Sequence, residues 1–240
     1  MSKMDDDKRL FTSCILVAAG SGSRMGKGIS KQFIHIGQMP MLSRTIKAFE
    51  SCEGINEIIV VMNKSDIERC QSEIIGPYSF KKVAAVIEGG QTRQESGYRG
   101  ICSASKRADI IIVHDGARPF VDNETIMKGI SAAAEYGASC AAVPAKDTIK
   151  QADVEGFVLK TPDRSSLWQV QTPQTFRYNI LKEAHERAIE QGFTGTDDSM
   201  LVERMGYKLK LVEGDYFNIK ITTDADLLFA EAIVRARESK

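Results

Sequence analysis

Residues 16–33 read LVAAGSGSRMGKGISKQF. The first four residues continue an apolar strand, and regular structure then stops. Glycines and serines alternate, and three cations follow, Arg24, Lys27 and Lys31. A first strand that opens into a glycine-rich, cationic loop is the start of an open α/β sheet built to receive an anion. Backbone N–H groups freed by glycine approach phosphate oxygens closely. The same letters also fit an ordinary turn, so the rest of the chain has to decide.

Working outward, short apolar runs alternate with amphipathic ones. The runs CILVAA (14–19), EIIVVM (57–62), KVAAVIEGG (82–90), DIIIVHD (109–115) and ASCAAVPA (138–145) are β-branched and continuous. Continuous rather than alternating apolarity marks parallel strands buried on both faces. Between them lie helix starts. Pro40 opens PMLSRTIKAFE, and Ser65 with Asp66 opens the next helix. Thr92 and Glu95 form a capping-box pattern, and Asp122 or Asn123 caps ETIMKGISAAAEYG. The repetition predicts a doubly wound, mostly parallel, Rossmann-like α/β sheet with helices on both faces.

The rhythm breaks after Ala145. Strand-like runs at 148–150 and 157–161 flank a polar turn at Glu155-Gly156, which predicts a β-hairpin. It is too polar for a buried parallel strand and is expected to project as an arm, about residues 146–170. A helical pattern resumes near Tyr178, TDDSMLVERMG reads as a capped short helix, and KLKLVEG and FNIKIT read as late strands. Thr223 starts a closing helix. Without repeats or low-complexity linkers, residues 1–240 read as a single domain.

Composition narrows the function. The 240 residues carry 32 basic and 32 acidic side chains, a formal net charge of zero. No broad nucleic-acid or membrane-binding surface is expected. The acidic beginning lacks the basic flank of a signal peptide, and no run approaches the roughly 20 apolar residues of a membrane span. Five cysteines at 14, 52, 70, 102 and 140 contain no CxxC pair. Most of them fit small buried apolar residues in a reducing cytoplasm.

Two standard phosphate loops fail. In Gly20-Ser-Gly22-Ser-Arg24-Met25-Gly26 the third glycine falls one place late for a dinucleotide fingerprint, and Asn63 stands where its carboxylate belongs. A P-loop needs a lysine followed by serine or threonine, and Lys27 precedes Gly28. Elsewhere, VHDGARPF puts Asp115 at a strand's carboxyl end, where ligands bind in open α/β sheets. Facing a triphosphate, such a carboxylate would hold Mg²⁺. Arg118 could orient it, and His114 reads as packed. A salt-bridged turn explains these residues equally well. In EGGQTRQES, Gly89 and Gly90 would let a flat base approach backbone, and Gln91 and Ser96 could read its edge; a glycine turn and helix cap is the plain alternative. Lys220 in NIKITT would complete a cationic ring with Arg24 and Lys31.

Together LVAAGSGSRMG…KQF, GGQTRQES, HDGARPF, KDTIK, DRSSLWQVQTPQTF, TDDSMLVE and LVEGDYFNIKITTDADL closely resemble the 2-C-methyl-D-erythritol 4-phosphate cytidylyltransferases of the non-mevalonate isoprenoid pathway. The resemblance runs in order from about Cys14 to about Phe229. It implies a nucleotidyltransferase sheet and a reaction of CTP with methylerythritol phosphate. It implies that Arg24, Lys31 and Lys220 are the catalytic cations. Ala18, Ala19, Gly20, Gly90, Gln91, Ser96, Asp115 and Gly116 would surround the nucleotide, with Mg²⁺ on Asp115. Arg118, Thr148, Arg164, Thr172 and Thr196 would bind the sugar phosphate. Gln91 departs from an acidic residue in some members, Gly116 stands where others have alanine, and Lys27 supports at most.

The implied chemistry is attack of a phosphate monoester on the α-phosphorus of CTP with loss of pyrophosphate. That nucleophile is already anionic, so positioning and charge neutralisation suffice. Three other readings compete. A ribitol-5-phosphate cytidylyltransferase shares several motifs, but its loop usually reads AGG where this one has Ala18-Ala19-Gly20. A non-catalytic nucleotide-binding domain would not need all the cations, and the loop disfavours a nicotinamide dehydrogenase. Ile149, Val158, Leu159, Leu167 and Trp168 in the arm need cover, which predicts a homodimer joined through it.

Overall fold

The computed structural model describes residues 10–20 and 30–238. A seven-stranded sheet runs through the protein in the order β11-β7-β10-β6-β1-β4-β5. Its strands are β1 (Thr12–Val17), β4 (Glu57–Met62), β5 (Val83–Glu88), β6 (Ile110–Asp115), β7 (Ala138–Pro144), β10 (Trp168–Arg177) and β11 (Lys210–Glu213). β1 pairs in parallel with β4 and β6, β4 with β5, and β7 with β11. β10 runs antiparallel between β6 and β7. Two small ladders lie outside the sheet, β2 (His35–Ile36) with β3 (Met39–Pro40) and β8 (Gln151–Ala152) with β9 (Val158–Lys160).

Strand parity sorts the core. Cys14, Leu16, Ile58, Val60, Met62 and Ile112 face α1 (Met41–Glu50) and α4 (Asn123–Tyr136), meeting Leu42, Ile46, Phe49, Ile126 and Ile130. Their neighbours Ile15, Ile59, Val61, Ile111 and Val113 point the other way. They meet Ile101 of α3 (Arg93–Ser103), Ile180, Leu181 and Ala184 of α5 (Tyr178–Glu190), and Leu201 and Val202 of α6 (Asp198–Arg204). Because both faces of these parallel strands are covered, apolar residues follow one another without alternation, and the period-2 signature disappears from the sequence. A short helix α2 (Ile67–Arg69) continues into a π-helical turn, Cys70–Ile75. α7 (Asp224–Glu238) closes a third cluster against Ile36, Met41, Phe120 and Ile221.

Caps form largely where the letters suggest. Thr92 accepts from the Glu95 N–H at 3.0 Å, but Glu95 returns its carboxylate to the Gln91 N–H at 2.8 Å rather than to Thr92. Asp122, not Asn123, caps α4. Asp66 stands before α2 without making a side-chain cap. Asp197 caps α6. In the first turn of α7, Asp226 accepts from the N–H groups of the preceding Thr222 and Thr223 at 2.8 Å each.

Three expectations need correction. FNIKIT is not a strand. Asn218 turns inward, donating to Gln171 and to the Thr172 carbonyl, and the Ile221 N–H binds Ala117 O, so the segment clips onto loops instead of a sheet edge. In the arm the first strand is residues 151–152, not 148–150, because Asp153 accepts from the N–H groups of Glu155 and Phe157 and sets the turn. Residues 168–170, read as arm, pair with β7 instead: Trp168 opposes Pro144 and Val170 opposes Ala142. Cys14, Cys52, Cys70 and Cys140 are buried thiols, whereas Cys102 is exposed. No helix among the described residues is long and apolar enough to cross a membrane.

Candidate active site

The carboxyl ends of β1, β4, β5 and β6 converge on a cleft of about 540 Å³, walled by Ala19, Gly20, Lys31, Asn63, Gly90, Gln91, Arg93, Ser96, Asp115 and Lys220. Its floor is backbone. Ala18 N–H binds Val61 O at 2.8 Å, and Gly116 N–H binds Val17 O at 2.9 Å, so the sheet's register continues into the first loop residues. Buried Gln32 reaches back from the short helical turn Lys31–Phe33 and donates to Ala18 O, with Gly20 O at 3.4 Å. That bond fixes where the glycine loop leaves the strand. It also points Lys31 across the mouth, where its Nζ lies 3.1 Å from Ile221 O.

Asp115 ends β6 and is 8% exposed. Lys220 Nζ lies 2.7 Å from its Oδ2, Arg93 Nε 3.2 Å from its Oδ1, and Arg118 Nε 3.9 Å from Oδ2. Burial alone would raise its pKa. Arg93, Lys220 and Arg118 outweigh burial and hold the carboxyl well below the usual carboxylate range. The group is therefore a fixed anion at neutral pH. Behind it, Thr172 Oγ1 accepts from the Asp115 N–H at 3.1 Å and meets His114 Nδ1 at 3.0 Å. The Arg118 carbonyl can only accept, so His114 Nε2–H donates to it at 3.0 Å, and Nδ1 of the neutral ring accepts from the Thr172 hydroxyl. His114 is the neutral tautomer; burial lowers its pKa to about 4. It packs edge-on against Phe49 and takes no part in the cleft.

The opposite wall is the turn from β5 into α3. A Cβ on Gly89 would come within 2.6 Å of the Ala19 Cβ, and one on Gly90 within 2.3 Å of the Glu95 Cβ. Only glycine lets this backbone lie so close to the first loop. Ser96 accepts from Gly90 N–H at 3.0 Å and donates to Thr92 O at 2.8 Å. Its hydroxyl thus builds the wall, while the exposed Gln91 side chain faces the opening.

The structure gathers Ala19, Gly20, Lys31, Gly90, Gln91, Ser96, Asp115 and Lys220 at one cleft. Ala18 and Gly116 sit just beneath, with a Gly116 Cβ position 2.9 Å from the Ala18 Cβ. Arg24 and Lys27 lie outside the described residues. Thr172 is buried behind Asp115, and Arg118 is turned toward Asn218 O at 2.7 Å, so Arg93 and Lys220, more than Arg118, orient the carboxylate. Thr148, Arg164 and Thr196 are exposed and do not wall the cleft; Arg164 donates to Lys146 O at 2.8 Å.

Sequence reasoning passed over Gln32, Arg93 and Asp198. Arg93 touches both carboxylates, Asp115 at 3.2 Å and Asp198 at 2.7 Å. Its signal lay inside GGQTRQES: an arginine just inside a helix that opens at a glycine strand end faces the cleft by position.

A mostly parallel α/β sheet with a cationic, carboxylate-bearing cleft at its carboxyl edge defines a nucleotide-handling enzyme. The profile of the 2-C-methyl-D-erythritol 4-phosphate cytidylyltransferase family (IspD) matches residues 12–236, and the chain belongs to that family. The cytidylyltransferase of Caldanaerobacter subterraneus subsp. tengcongensis is 49% identical over 223 residues, covering 93% of this chain and 98% of that one. That of Geobacillus thermodenitrificans is 50% identical over 224 residues, covering 93% and 96%. The crystal structure of 4-diphosphocytidyl-2C-methyl-D-erythritol synthase from Anaerococcus prevotii superposes with a TM-score of 0.84 at 34% identity, over 94% of this chain and 96% of that one.

Proposed function

We propose that this protein transfers CMP from CTP to 2-C-methyl-D-erythritol 4-phosphate, giving 4-diphosphocytidyl-2-C-methyl-D-erythritol and pyrophosphate. The observation that carries the chemistry is one ionised carboxylate, Asp115, set among Lys220, Arg93 and Arg118 with Lys31 at the mouth. The acceptor's phosphate is already a nucleophile, so the site has to align two polyanions and neutralise charge on the α-phosphoryl group as it transfers. Lys31, Lys220 and, by family resemblance, Arg24 supply that charge. The glycine wall at 89–90 receives the cytosine, with Gln91 at its edge.

The donor set fits Mg²⁺. Mg²⁺ in nucleotide sites is held by one or two carboxylates together with substrate phosphates and water. Asp115 offers such a carboxylate, kept ionised, although among the described residues no cluster of three acidic, histidine or cysteine side chains accompanies it. Bound there with the nucleotide, the ion would neutralise phosphate charge.

The working unit is a homodimer. Val154, Phe157, Val158 and Leu159 of the arm are all more than half exposed in the single chain. An isolated two-stranded ribbon is marginal without cover. A two-fold partner supplies that cover and brings Arg164 and Thr148 toward the other subunit's cleft.

Pyrophosphate release tests the reading, with CTP and either methylerythritol phosphate or ribitol 5-phosphate as acceptor. Faster turnover with ribitol phosphate would reassign the substrate, and no release with either would leave a nucleotide-binding module.

A further inference from the structure

Behind Asp115 a second carboxylate is buried for which substrate contact gives no explanation. Asp198, at the start of α6, is 1% exposed. Its Oδ2 takes Arg93 Nη1 at 2.7 Å, and its Oδ1 takes His185 Nε2 of α5 at 3.0 Å. His185 is fully buried, and its Nδ1 meets no donor or acceptor. The imidazole therefore gives its one hydrogen bond to Asp198. The Asp198 N–H is itself held by Gln174 Oε1 of β10 at 3.1 Å. Three elements thus converge to hold one carboxylate against one guanidinium.

Room for this arrangement is made in α3. A Cβ at Gly97 would lie 3.2 Å from Asp198 Oδ1 and 3.7 Å from His185 Cε1. Glycine inside a helix is less favourable than alanine, and here its missing Cβ is the space the carboxylate uses. A buried ion pair is weak evidence for stability. What it does well is fix direction. The guanidinium is a rigid planar fork, so two carboxylates on two of its nitrogens fix its plane. Arg93 Nε is then presented to Asp115 Oδ1.

We propose that Asp198, steadied by His185, is a positioning residue: it aims Arg93, and through Arg93 it sets the orientation of Asp115 in the cleft. The inference rests on the proposed function for its consequence in turnover, but the geometry it asserts can be read without any substrate. In the wild-type protein the Arg93 Nε–Hε group should give a single slowly exchanging NMR signal, identified by its absence in Arg93→Lys. Asp198→Asn should shift it or broaden it away. Gly97→Ala is the milder variant, since it crowds Asp198 Oδ1 while improving helix propensity; it should move the same signal with the fold intact. An Arg93 signal unmoved in whichever of these variants folds would overturn the inference, whatever substrate the enzyme uses.

Turnover supplies the second arm. Asp198→Asn or Gly97→Ala should lower kcat/KM about tenfold or more, chiefly through kcat. In an Arg93→Ala background either change should cost less than about threefold, because residues acting through one another are not additive. Equal losses in both backgrounds would mean that Asp198 only ties α6 to the body of the protein, and would overturn the positioning role. A wild-type protein inactive with methylerythritol phosphate would remove the substrate assignment and leave the NMR result to decide.

Discussion

Lys220 Nζ lies 2.7 Å from Asp115 Oδ2, joining an irregular segment near the end of the chain to the last residue of the central strand β6. With Arg93 on the other oxygen, the carboxylate is held from two sides. Replacing it should therefore disturb charge more than shape. Asp115→Asn should raise the Mg²⁺ concentration needed for half-maximal activity, because a neutral amide leaves three cations facing an incoming metal without their counter-charge. A titration superimposable on the wild type's would remove Asp115 from metal binding.

Lys31 belongs to the mouth, not the core. Its short helical turn is anchored by buried Gln32 and Phe33, and its ammonium reaches across the mouth to Ile221 O at 3.1 Å. Lys31→Ala should keep the wild-type melting temperature within a few degrees. It should lose roughly 10²–10³ in kcat, the scale for one preorganised charge-stabilising contact. Near-normal turnover at saturating substrate would take Lys31 out of catalysis.

Much of this site was readable before the fold was known, for a physical reason. Buried parallel strands need unbroken apolar runs, so β4 and β6 stand out and put Asp115 at a strand end. Backbone contacts between strands and loops need glycine, which exposes Gly89 and Gly90. Antiparallel β10 was illegible because its inner residues are polar. Gln171, Thr172 and Gln174 are buried by hydrogen bonding rather than by apolarity. Arg93 and Asp198 were hidden for a related reason: each resembles a solvated surface charge until long-range topology puts them 2.7 Å apart.

The same wall makes a claim about base choice. Gly89 and Gly90 bring the wall's backbone against Ala19 and Glu95, and Gln91 stands at its edge. With cytosine received on that wall, CTP should be used far better than ATP or GTP. Comparable pyrophosphate release from ATP would discard the cytosine assignment.

His114 makes a pH claim about stability. Buried between Phe49 and Thr172, it is neutral in the folded protein, with its pKa lowered to about 4 from 6.5. The unfolded chain binds the proton more readily. This group's contribution is therefore complete above pH 6.5 and is lost as pH falls from there toward 4. Urea unfolding at pH 7.5 and pH 5 should show the wild type losing about 2 kcal/mol more than His114→Gln, whose amide does not titrate. Equal losses would mean that the histidine is protonated in the folded state.

Arg164 sits on the arm, exposed, bonded to Lys146 O and absent from the walls of its own chain's cleft. Phe157 and Leu159 on the same arm are 68% and 63% exposed, which is costly for a solitary chain and ordinary for one that lends its arm to a partner. In that arrangement Arg164 serves the neighbouring site while Lys31 serves its own. Each active site is then built from two subunits, and two dead proteins can restore one another. Lys31→Ala and Arg164→Ala should each be nearly inactive alone. Refolded together in equal amounts with free exchange, about half the dimers are mixed, and each mixed dimer holds one site with neither substitution. Activity should return to about a quarter of the wild-type value for a symmetric two-fold dimer. A monomer whose arm folds back on itself gives no recovery at all. Failure to recover after subunit exchange has been demonstrated by mass would place Arg164 in its own chain's site or outside catalysis.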